Sequence, residues 1–294
     1  MRASRLRSER DPDQVNNRAC GCALKSWPAR AAIAGMRVAL SVAGSDPSGG
    51  AGIQADLKAF HQHRVYGAAV ITLLTVQNTV QVSEVSLQTP AFVAAQLDAV
   101  LSDLPVAAIK TGALGTGPIA AAVAQCLARR GLPLVVDPVV SATHGAQLLR
   151  ADAIGALTSE LLPLATIVTP NLNEAALLTG AEVRTEDQIR QAALMIHGQG
   201  AGAVLIKGGH REGAPDDLLY ANGVFHVLRG ERVAGRGTHG LGCNLSAAIC
   251  AWLARGEDVL TACQRAKAWV ARGIAGAPGL GQGAGPIDAL VPIP

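Results

Sequence analysis

A glycine-rich loop that leads into an alanine-rich helix is the segment of this sequence best suited to chemistry. Residues 237–248 read GTHGLGCNLSAA. The first turn of a helix presents N–H groups that have no partner inside the helix, and it carries the positive end of the helix dipole. The main-chain N–H groups of Gly240, Leu241, Gly242 and Cys243 therefore form a candidate site for an anion such as a phosphate group.

Cys243 lies in the first turn of this predicted helix. We expect the helix dipole to lower the pKa of its thiol from the usual value of about 8.5, so that a thiolate could take a proton from an attacking hydroxyl group. The alternative is that Cys243 is a small packing residue. Within this loop we favour the catalytic interpretation.

Asn171 and Glu174 follow a short predicted strand and lie on one face of the helix that comes next. Their oxygen atoms could organise the water shell of Mg²⁺ beside phosphate groups. The same two residues also match a helix N-cap followed by a glutamate at its third position, which needs no ligand. The spacing leaves both interpretations open.

Lys207 and Asp137 each stand at the end of an apolar strand. Lys207 is followed by two glycines, so its ammonium group could meet a phosphate charge there. The alternative is a lysine that simply extends to solvent. Asp137 precedes Pro138 and could hold a cation or a substrate hydroxyl group, or could be an ordinary turn residue.

Two common nucleotide-binding patterns are absent or incomplete. The sequence contains no G-x-x-x-x-G-K-[ST] segment, which excludes a P-loop enzyme. Residues 50–55 read GAGIQA and match the loose dinucleotide pattern G-x-G-x-x-A. However, residues 70–75, where an acidic residue would hold a ribose, contain none. A tight turn that opens a helix explains this segment better.

The elements that must position these residues alternate between strand and helix from residue 37 onward. Apolar strands are predicted at 38–43, 69–76, 106–110, 134–137, 166–169 and 203–207. Helices are predicted at 50–61, 89–104, 118–130, 151–162, 174–179, 186–197, 242–254 and 259–274. This order predicts an α/β domain with helices on both faces of a mostly parallel sheet. An Asn222-Gly223 turn between two short apolar runs predicts a late antiparallel hairpin.

Polar or glycine residues come directly after the predicted strands. In an open parallel sheet, ligands bind at the carboxyl ends of the strands, so these residues are expected to meet at one edge. The segments are Gly44-Ser45-Asp46, Gln77-Asn78, Lys110-Thr111-Gly112, Asp137-Pro138, Asn171 to Glu174, Lys207-Gly208-Gly209 and Gly240 to Cys243.

The composition indicates an aliphatic enzyme core. Hydrophobic residues make up 49% of the 294 residues and aromatic residues 3%, as suits a parallel sheet that is buried on both faces. A net charge of +3 is too small to indicate nucleic-acid binding. No apolar run approaches the ~20 residues of a membrane span. Six cysteines in a chain of this length indicate a reduced, cytoplasmic protein rather than a disulfide scaffold.

Residues 1–36 have no hydrophobic period and contain both arginines and acidic residues. We interpret them as a disordered extension or as a start assigned too far upstream, because Met36 directly precedes the first strand. A targeting peptide is the alternative, and the acidic residues argue against a mitochondrial one. The domain itself is predicted to span residues 37–294.

The chain from residue 36 to about residue 290 resembles a known enzyme family. The quoted loop at 237–248 is joined by VAGSDPSGGAGIQADLK at 42–58, TPN-x-x-EA at 169–175 and KGGH at 207–210. These segments resemble the hydroxymethylpyrimidine/phosphomethylpyrimidine kinases of thiamine biosynthesis, within the ribokinase-like superfamily. The resemblance implies the three-layer α/β/α ribokinase-like fold. It also implies ATP-dependent phosphorylation of 4-amino-5-hydroxymethyl-2-methylpyrimidine and then of its monophosphate.

The resemblance also implies a binding place for the acceptor. Gly44 and Asp56 would line the pyrimidine pocket, and Gln77 would hydrogen-bond the amino and nitrogen edge of the ring. Transfer would occur at the helix start. The catalytic residues implied there are Cys243, Gly240, Leu241, Gly242 and Lys207.

ATP and Mg²⁺ are the cofactors that the resemblance implies. ATP would contact Lys207, Asn171, Gly208 and Gly209, and Mg²⁺ would be placed, partly through water, by Glu174, Asn171 and Asp137. Lys267 matches a lysine of the family without a defined role. The partners implied are the small pyrimidine and ATP, with no nucleic acid and no membrane, in a homodimer.

Three positions depart from the family pattern. Leu241 stands where the family usually has Thr, and Ala113 and Val140 stand where it usually has Met. Leu241 keeps its main-chain N–H but lacks a hydroxyl group, and Ala113 would widen the pocket. These departures bear on substrate range rather than on the fold.

Two other functions are compatible with the same residues. One is a pyridoxal or pyridoxine kinase of the same superfamily, since both acceptors are flat nitrogen-containing rings with a hydroxymethyl arm. The other is a ligand-binding regulator that has lost activity on this fold. The intact Gly-x-Gly-Cys, Asn-x-x-Glu and Lys-Gly-Gly segments argue against such a loss.

Overall fold

The computed structural model describes residues 36–142, 145, 148–150, 152–209, 214–233 and 237–294. Apart from Met36, the proposed extension at residues 1–36 lies outside these residues, as does His210 of the KGGH segment. None of the described helices is long and apolar enough to cross a membrane.

Nine strands form one sheet in the described residues. They are β1 (Arg37–Ser45), β2 (Val65–Gln77), β3 (Val82–Leu87), β4 (Val106–Thr111), β5 (Leu134–Val136), β6 (Ile167–Val168), β7 (Ala203–Ile206), β8 (Asp217–Ala221) and β9 (Val224–Leu228). They lie in the order β3-β2-β1-β4-β5-β6-β7-β8-β9. Pairs from β2 across to β7 are parallel, whereas β3, β8 and β9 pair antiparallel. The predicted parallel sheet and late hairpin are confirmed.

Helices alternate with the strands along most of the chain, and two helices follow the last strand. Those described are α1 (Gly52–Gln62), α2 (Pro90–Asp103), α3 (Gly117–Leu127), α4 (Asp152–Ala156), α5 (Leu172–Thr179), α6 (Glu186–Gly198), α7 (Leu241–Ala254) and α8 (Val259–Ala275). After α4 the winding changes to a π turn (Leu157–Leu161) and a 3₁₀ turn (Leu162–Leu164). The hydroxyl groups of Thr158 and Ser159 both donate to the Gly155 carbonyl, which competes with regular α-helical bonding.

The two faces of the sheet bury two separate hydrophobic clusters. On β7, Val204 and Ile206 join a cluster with α2 to α6, whereas Ala203 and Leu205 join a second cluster with α1, α7 and α8. Side chains alternate between faces along a strand, so a continuous aliphatic run fills both clusters. The three-layer α/β/α fold is therefore confirmed.

Strand β3 was not predicted from the sequence. Its residues read VSEVSL and are half-buried or exposed at the edge of the sheet. An edge strand with polar residues carries a weak apolar signal, which is why the pattern does not reveal it. The finding adds a second antiparallel edge, next to Gln77 at the end of β2.

His63 follows α1 and is fully buried between two tryptophans. Its ring centroid lies 5.5 Å from that of Trp252 and 4.9 Å from that of Trp269, both edge-on. Nδ1 lies 2.7 Å from the Ala59 carbonyl oxygen and therefore carries the donated proton. Burial lowers the pKa of His63 to about 4. This histidine is a packing residue.

Acidification from pH 7 to pH 5 is expected to destabilise the protein through His63. An unfolded histidine titrates near 6.5 and the folded one near 4, so between these values the unfolded chain alone binds the proton. The loss of unfolding free energy at pH 5 is about 2 kcal/mol. Urea unfolding at both pH values measures it. Between pH 7 and pH 5, the unfolding free energy of the His63→Phe variant should fall by about 2 kcal/mol less than that of the wild type. Equal falls in the two proteins would contradict this role of His63.

Candidate active site

Helix α7 begins in a tight turn at the cleft. Gly240 has a φ of 69°, in the left-handed region that glycine adopts without strain. A Cβ at this position would also collide with the Gly50 carbonyl oxygen. The turn directs the first residues of α7, Leu241 to Cys243, to the wall of a cavity of about 740 Å³. The helix start that the sequence predicted is therefore present at the cavity wall, one residue earlier than expected.

Lys207, Asp137 and Glu174 meet beside this helix start. Lys207 Nζ lies 3.0 Å from Asp137 Oδ1 and 3.6 Å from Glu174 Oε2. A Cβ at Gly242 would lie 3.1 Å from Lys207 Nζ and 3.5 Å from Asp137 Oδ2. The absence of a side chain at Gly242 thus allows the charged groups to approach the helix start, and the structure brings together four residues predicted from separate segments.

The carboxylates keep Lys207 positively charged. Burial disfavours its charge, but Asp137 and Glu174 outweigh this effect and raise the pKa of Lys207 above its usual value. Burial likewise opposes the charge of Asp137, yet Lys207 and Lys110 hold the pKa of Asp137 below its usual value. A fixed cation and a fixed anion therefore share one wall of the large cavity.

Two hydroxyl groups orient Asp137, and the sequence did not single out either. Ser246 Oγ lies 3.1 Å from Asp137 Oδ2, and Thr169 Oγ1 lies 3.2 Å from Asp137 Oδ1. Ser246 stands three residues after Cys243 on the same helix face, and Thr169 directly follows β6. Those positions are the sequence signals that could have identified them.

Asn171 and Glu174 form a capping box at the start of α5, as in the interpretation that needs no ligand. The Asn171 side chain accepts from the Glu174 N–H at 2.9 Å, and Glu174 Oε2 accepts from the Asn171 N–H at 2.7 Å. Asp137 and Glu174 nonetheless line the large cavity. Mg²⁺ is commonly held by one or two carboxylates together with phosphate oxygens and water. The donor set therefore fits a Mg²⁺ that arrives with a nucleotide.

The described residues do not supply a complete metal site by themselves. No group of three His, Cys, Asp or Glu side chains within them could hold a metal ion. Phosphate oxygens and water would have to complete the coordination of Mg²⁺ at Asp137 and Glu174.

The N–H of Gly208, one of the residues that the resemblance places beside ATP, already has a partner within the protein. Its N–H donates to Asp217 Oδ1 at 2.8 Å, and a Cβ at Gly208 would collide with the Asp216 carbonyl oxygen. Glycine is needed here because the chain passes so close to Asp216. Gly209, by contrast, lines the large cavity.

Lys267 on α8 binds residues at the start of β8. Its ammonium group donates to Asp217 Oδ2 at 2.6 Å and to the Pro215 carbonyl oxygen at 2.8 Å. Asp217 in turn holds Gly208, directly after Lys207. Lys267 therefore helps to position Asp217, and through it Gly208, and it also lines the large cavity.

A second, smaller chamber of about 70 Å³ adjoins the large cavity. Gly44, Gln77 and Ala113 line it, as predicted for a ring-binding pocket. Cys243 lines both cavities, as do Val139 and Ser141. The start of α7 thus stands where the two chambers meet.

Leu241 and Val140, the other two positions that depart from the family pattern, do not line the small chamber. Leu241 forms part of the large-cavity wall, and Val140 packs half-buried against the larger core cluster. Of the three departures, Ala113 is therefore the one that lines the small chamber.

Asp56 lies behind the small chamber and does not line it, which corrects the prediction. Its carboxylate is fully buried and lies 2.9 Å from Lys110 Nζ at both oxygens. Ser41 Oγ donates to Asp56 Oδ2 at 2.6 Å. It is Lys110, at the end of β4, that faces the chamber. The sequence shows Lys110 as a polar strand-end residue but does not show its partner.

Asp46 and His239 form a buried pair that the sequence analysis did not assign. His239 Nε2 lies 2.7 Å from Asp46 Oδ2 and 3.4 Å from Gln77 Nε2. Burial alone would raise the pKa of Asp46, but hydrogen bonds from His239 and Ser48 hold it below its usual value. The pair connects the segment after β1 with the residue before Gly240. Asp46 and His239 both line the small chamber.

The thiol of Cys243 is a weaker acid than predicted. Although part of Cys243 is accessible in the cleft, burial raises the pKa of its thiol to about 11, against the opposing effect of Lys110. Asp56 and Asp137 add to the increase. The expectation that the helix dipole would lower this pKa is wrong, because burial and two carboxylates outweigh the helix start.

Comparisons with known proteins agree on one family. The family model described as phosphomethylpyrimidine kinase matches residues 46–288. A hydroxymethylpyrimidine/phosphomethylpyrimidine kinase of Rhizobium meliloti is 49% identical over 254 residues, covering 85% of this chain and 96% of the relative. The corresponding kinase of Synechococcus elongatus is 45% identical over 258 residues, which cover 87% of this chain and 98% of the relative.

Solved structures give the same fold. The ADP complex of Bacillus subtilis pyridoxal kinase superimposes with a TM-score of 0.80 at 38% identity, covering 86% of this chain and 97% of that one. The phosphomethylpyrimidine kinase of Clostridium difficile gives a TM-score of 0.72 at 37% identity. The match covers 80% of this chain and 97% of that one. With its ribokinase-like fold and these relatives, the chain belongs to the phosphomethylpyrimidine kinase family.

Proposed function

We propose that the protein transfers the γ-phosphate of ATP to 4-amino-5-hydroxymethyl-2-methylpyrimidine, and then phosphorylates the monophosphate to the diphosphate, in thiamine biosynthesis. The observation that carries this proposal is the position of Cys243 and the start of α7 between two chambers. The large one has the volume of a nucleotide site, and the names of the relatives give the acceptor.

On the nucleotide side, charged groups would hold and neutralise the phosphates. Lys207 would meet the terminal phosphates, and Asn171 and Gly209 would lie along the nucleotide. Asp137 and Glu174 would hold Mg²⁺ through direct or water-mediated contacts; when bound, this ion would neutralise phosphate charge. Because Asp137 and Lys207 are already paired, the cavity holds these charges in place before the nucleotide binds.

On the acceptor side, Gly44 and Gln77 would orient the ring. Gln77 offers an amide that can both donate to and accept from the amino and nitrogen edge of the pyrimidine. The hydroxymethyl group would then point toward Cys243, where the chambers meet. Phosphoryl transfer needs mainly positioning and charge stabilisation. The N–H groups of Gly240 to Cys243 would supply the charge stabilisation.

A coupled assay of ADP release with three acceptors tests the proposal. The hydroxymethylpyrimidine and its monophosphate should both be phosphorylated, and pyridoxal should be the poorer acceptor. Pyridoxal is the relevant rival because pyridoxal kinases are among the solved relatives, at 34–38% identity. Faster phosphorylation of pyridoxal would support that rival, and binding of the pyrimidine without ADP release would support the inactive regulator.

The cytoplasmic location and the homodimer also remain proposals. The homodimer is suggested by analogy with the family. Sedimentation equilibrium of the purified protein would give a mass twice that of the 30.0 kDa chain if it is correct, and a single-chain mass would contradict it.

A further inference from the structure

Two lysines, Lys110 fully buried and Lys207 partly buried, lie near Cys243 in different chambers. Lys207 lines the large cavity, and Lys110 lines the small one. Among the described residues of the small chamber, Lys110 is the one lysine or arginine side chain. Both lysines interact electrostatically with Cys243. Each chamber therefore has its own cation beside the point where they meet.

The Asp56–Lys110 pair has a fixed direction relative to the small chamber. Asp56 stands behind the chamber wall, where Ser41 and Lys110 hold both of its oxygens. Lys110 lines the chamber, whereas Asp56 does not. The pair therefore presents its positive end to the chamber and its negative end to the core, as a dipole that needs no reorganisation when an anion binds.

Gly112 lies close to the ammonium group of Lys110. A Cβ at Gly112 would lie 3.1 Å from Lys110 Nζ and 3.0 Å from the Ala43 Cβ. All three residues line the small chamber. Because the Lys110 side chain is fully buried, its charge would act on a bound anion across the chamber wall.

We propose that Lys110 is a specificity-determining residue for acceptors that already carry a phosphate group. The inference rests on the proposed function and extends it to the second of its two steps. A neutral hydroxymethyl acceptor gains little from a buried cation. A phosphorylated acceptor brings two or so negative charges into the small chamber, next to the phosphates of the nucleotide. The positive end of the Asp56–Lys110 pair offsets that repulsion.

The double variant Asp56→Asn/Lys110→Met tests this role without leaving a buried charge unpaired. Phosphorylation of the hydroxymethylpyrimidine and of its monophosphate are measured separately. We expect kcat/KM for the monophosphate to fall by about 30-fold, as for the loss of a hydrogen bond or contact to a charged group. The value for the alcohol should fall by less than about threefold. Glu186→Gln/Arg190→Met, which removes a partly exposed ion pair on α6, is the matched control and should leave the ratio of the two steps unchanged.

An equal fall in kcat/KM for the alcohol and for the monophosphate, or no fall for either, would overturn the role of Lys110. A wild-type protein that phosphorylates neither compound would instead overturn the proposed function, so the two failures are distinct.

Calorimetric binding to the nucleotide-free wild type provides a second test that does not depend on a folded variant. The monophosphate should bind at least as tightly as the alcohol, because the dipole compensates for burying its charge. Binding of the monophosphate that is more than about tenfold weaker would contradict the proposal.

Discussion

Replacing Lys207 with methionine is expected to lower turnover by about 10³-fold, the largest effect of any single substitution in this site. The change corresponds to about 4 kcal/mol of transition-state stabilisation. Lys207 Nζ is held 3.0 Å from Asp137 beside the start of α7, so its charge is fixed where phosphate charge would redistribute. Methionine retains the length and apolar stem of the side chain but removes the cation.

Steady-state kinetics with varied ATP and acceptor measure this effect. We expect the loss mainly in kcat, because the charge acts on the transferring group, with a smaller rise in KM for ATP. Arg184→Met, which removes an exposed cation paired with Glu182, is the matched control and should retain full activity. Turnover within tenfold of the wild type in Lys207→Met would exclude Lys207 from transfer.

Cys243→Ala is expected to lower turnover by about 10²-fold, as for the loss of a general base. Burial raises the pKa of the Cys243 thiol to about 11, so at neutral pH only a small fraction is thiolate and able to accept a proton. Turnover of the wild type should therefore rise by about tenfold per pH unit between pH 7 and pH 9 if the thiolate is the base. The variant should lack this rise.

The pH–rate profile separates a base from a packing residue. Lys207 remains charged over this range, because Asp137 and Glu174 raise its pKa against the effect of burial. Cys250→Ala, which removes a buried thiol seven residues along α7, is the control for packing. A Cys243→Ala protein with unchanged turnover, or with the wild-type pH dependence, would show that another group accepts the proton.

The His63 prediction concerns a different part of the molecule. His63 packs against Trp252 and Trp269 on the face of the sheet covered by α1, α7 and α8. Its titration is expected to change stability and not the chemistry of the cleft. Activity and unfolding measured over the same pH range should therefore respond to different groups, with Cys243 controlling turnover and His63 controlling acid stability.

Local patterns in the sequence were sufficient for the fold and for much of the cleft. Alternating aliphatic strands and helices fixed the parallel sheet, and the turn at Asn222-Gly223 fixed the hairpin β8–β9. Strand ends in such a sheet share one edge. Lys207, Asp137, Glu174 and Cys243 could therefore be placed together from segments that are up to 106 residues apart in the chain. These features depend on periodicity and chain direction, which a sequence displays directly.

Only the tertiary structure decided which partner each polar group has. Asp56 and Lys110 are 54 residues apart, and no local pattern shows that their side chains meet behind the small chamber. The pKa of Cys243 depends on burial and on carboxylates from other segments, and the N–H of Gly208 is taken by Asp217 from a neighbouring strand. Electrostatic energies depend on distance and on exposure to water. The sequence therefore determined where charged residues would gather, and three-dimensional packing determined what each of them can do.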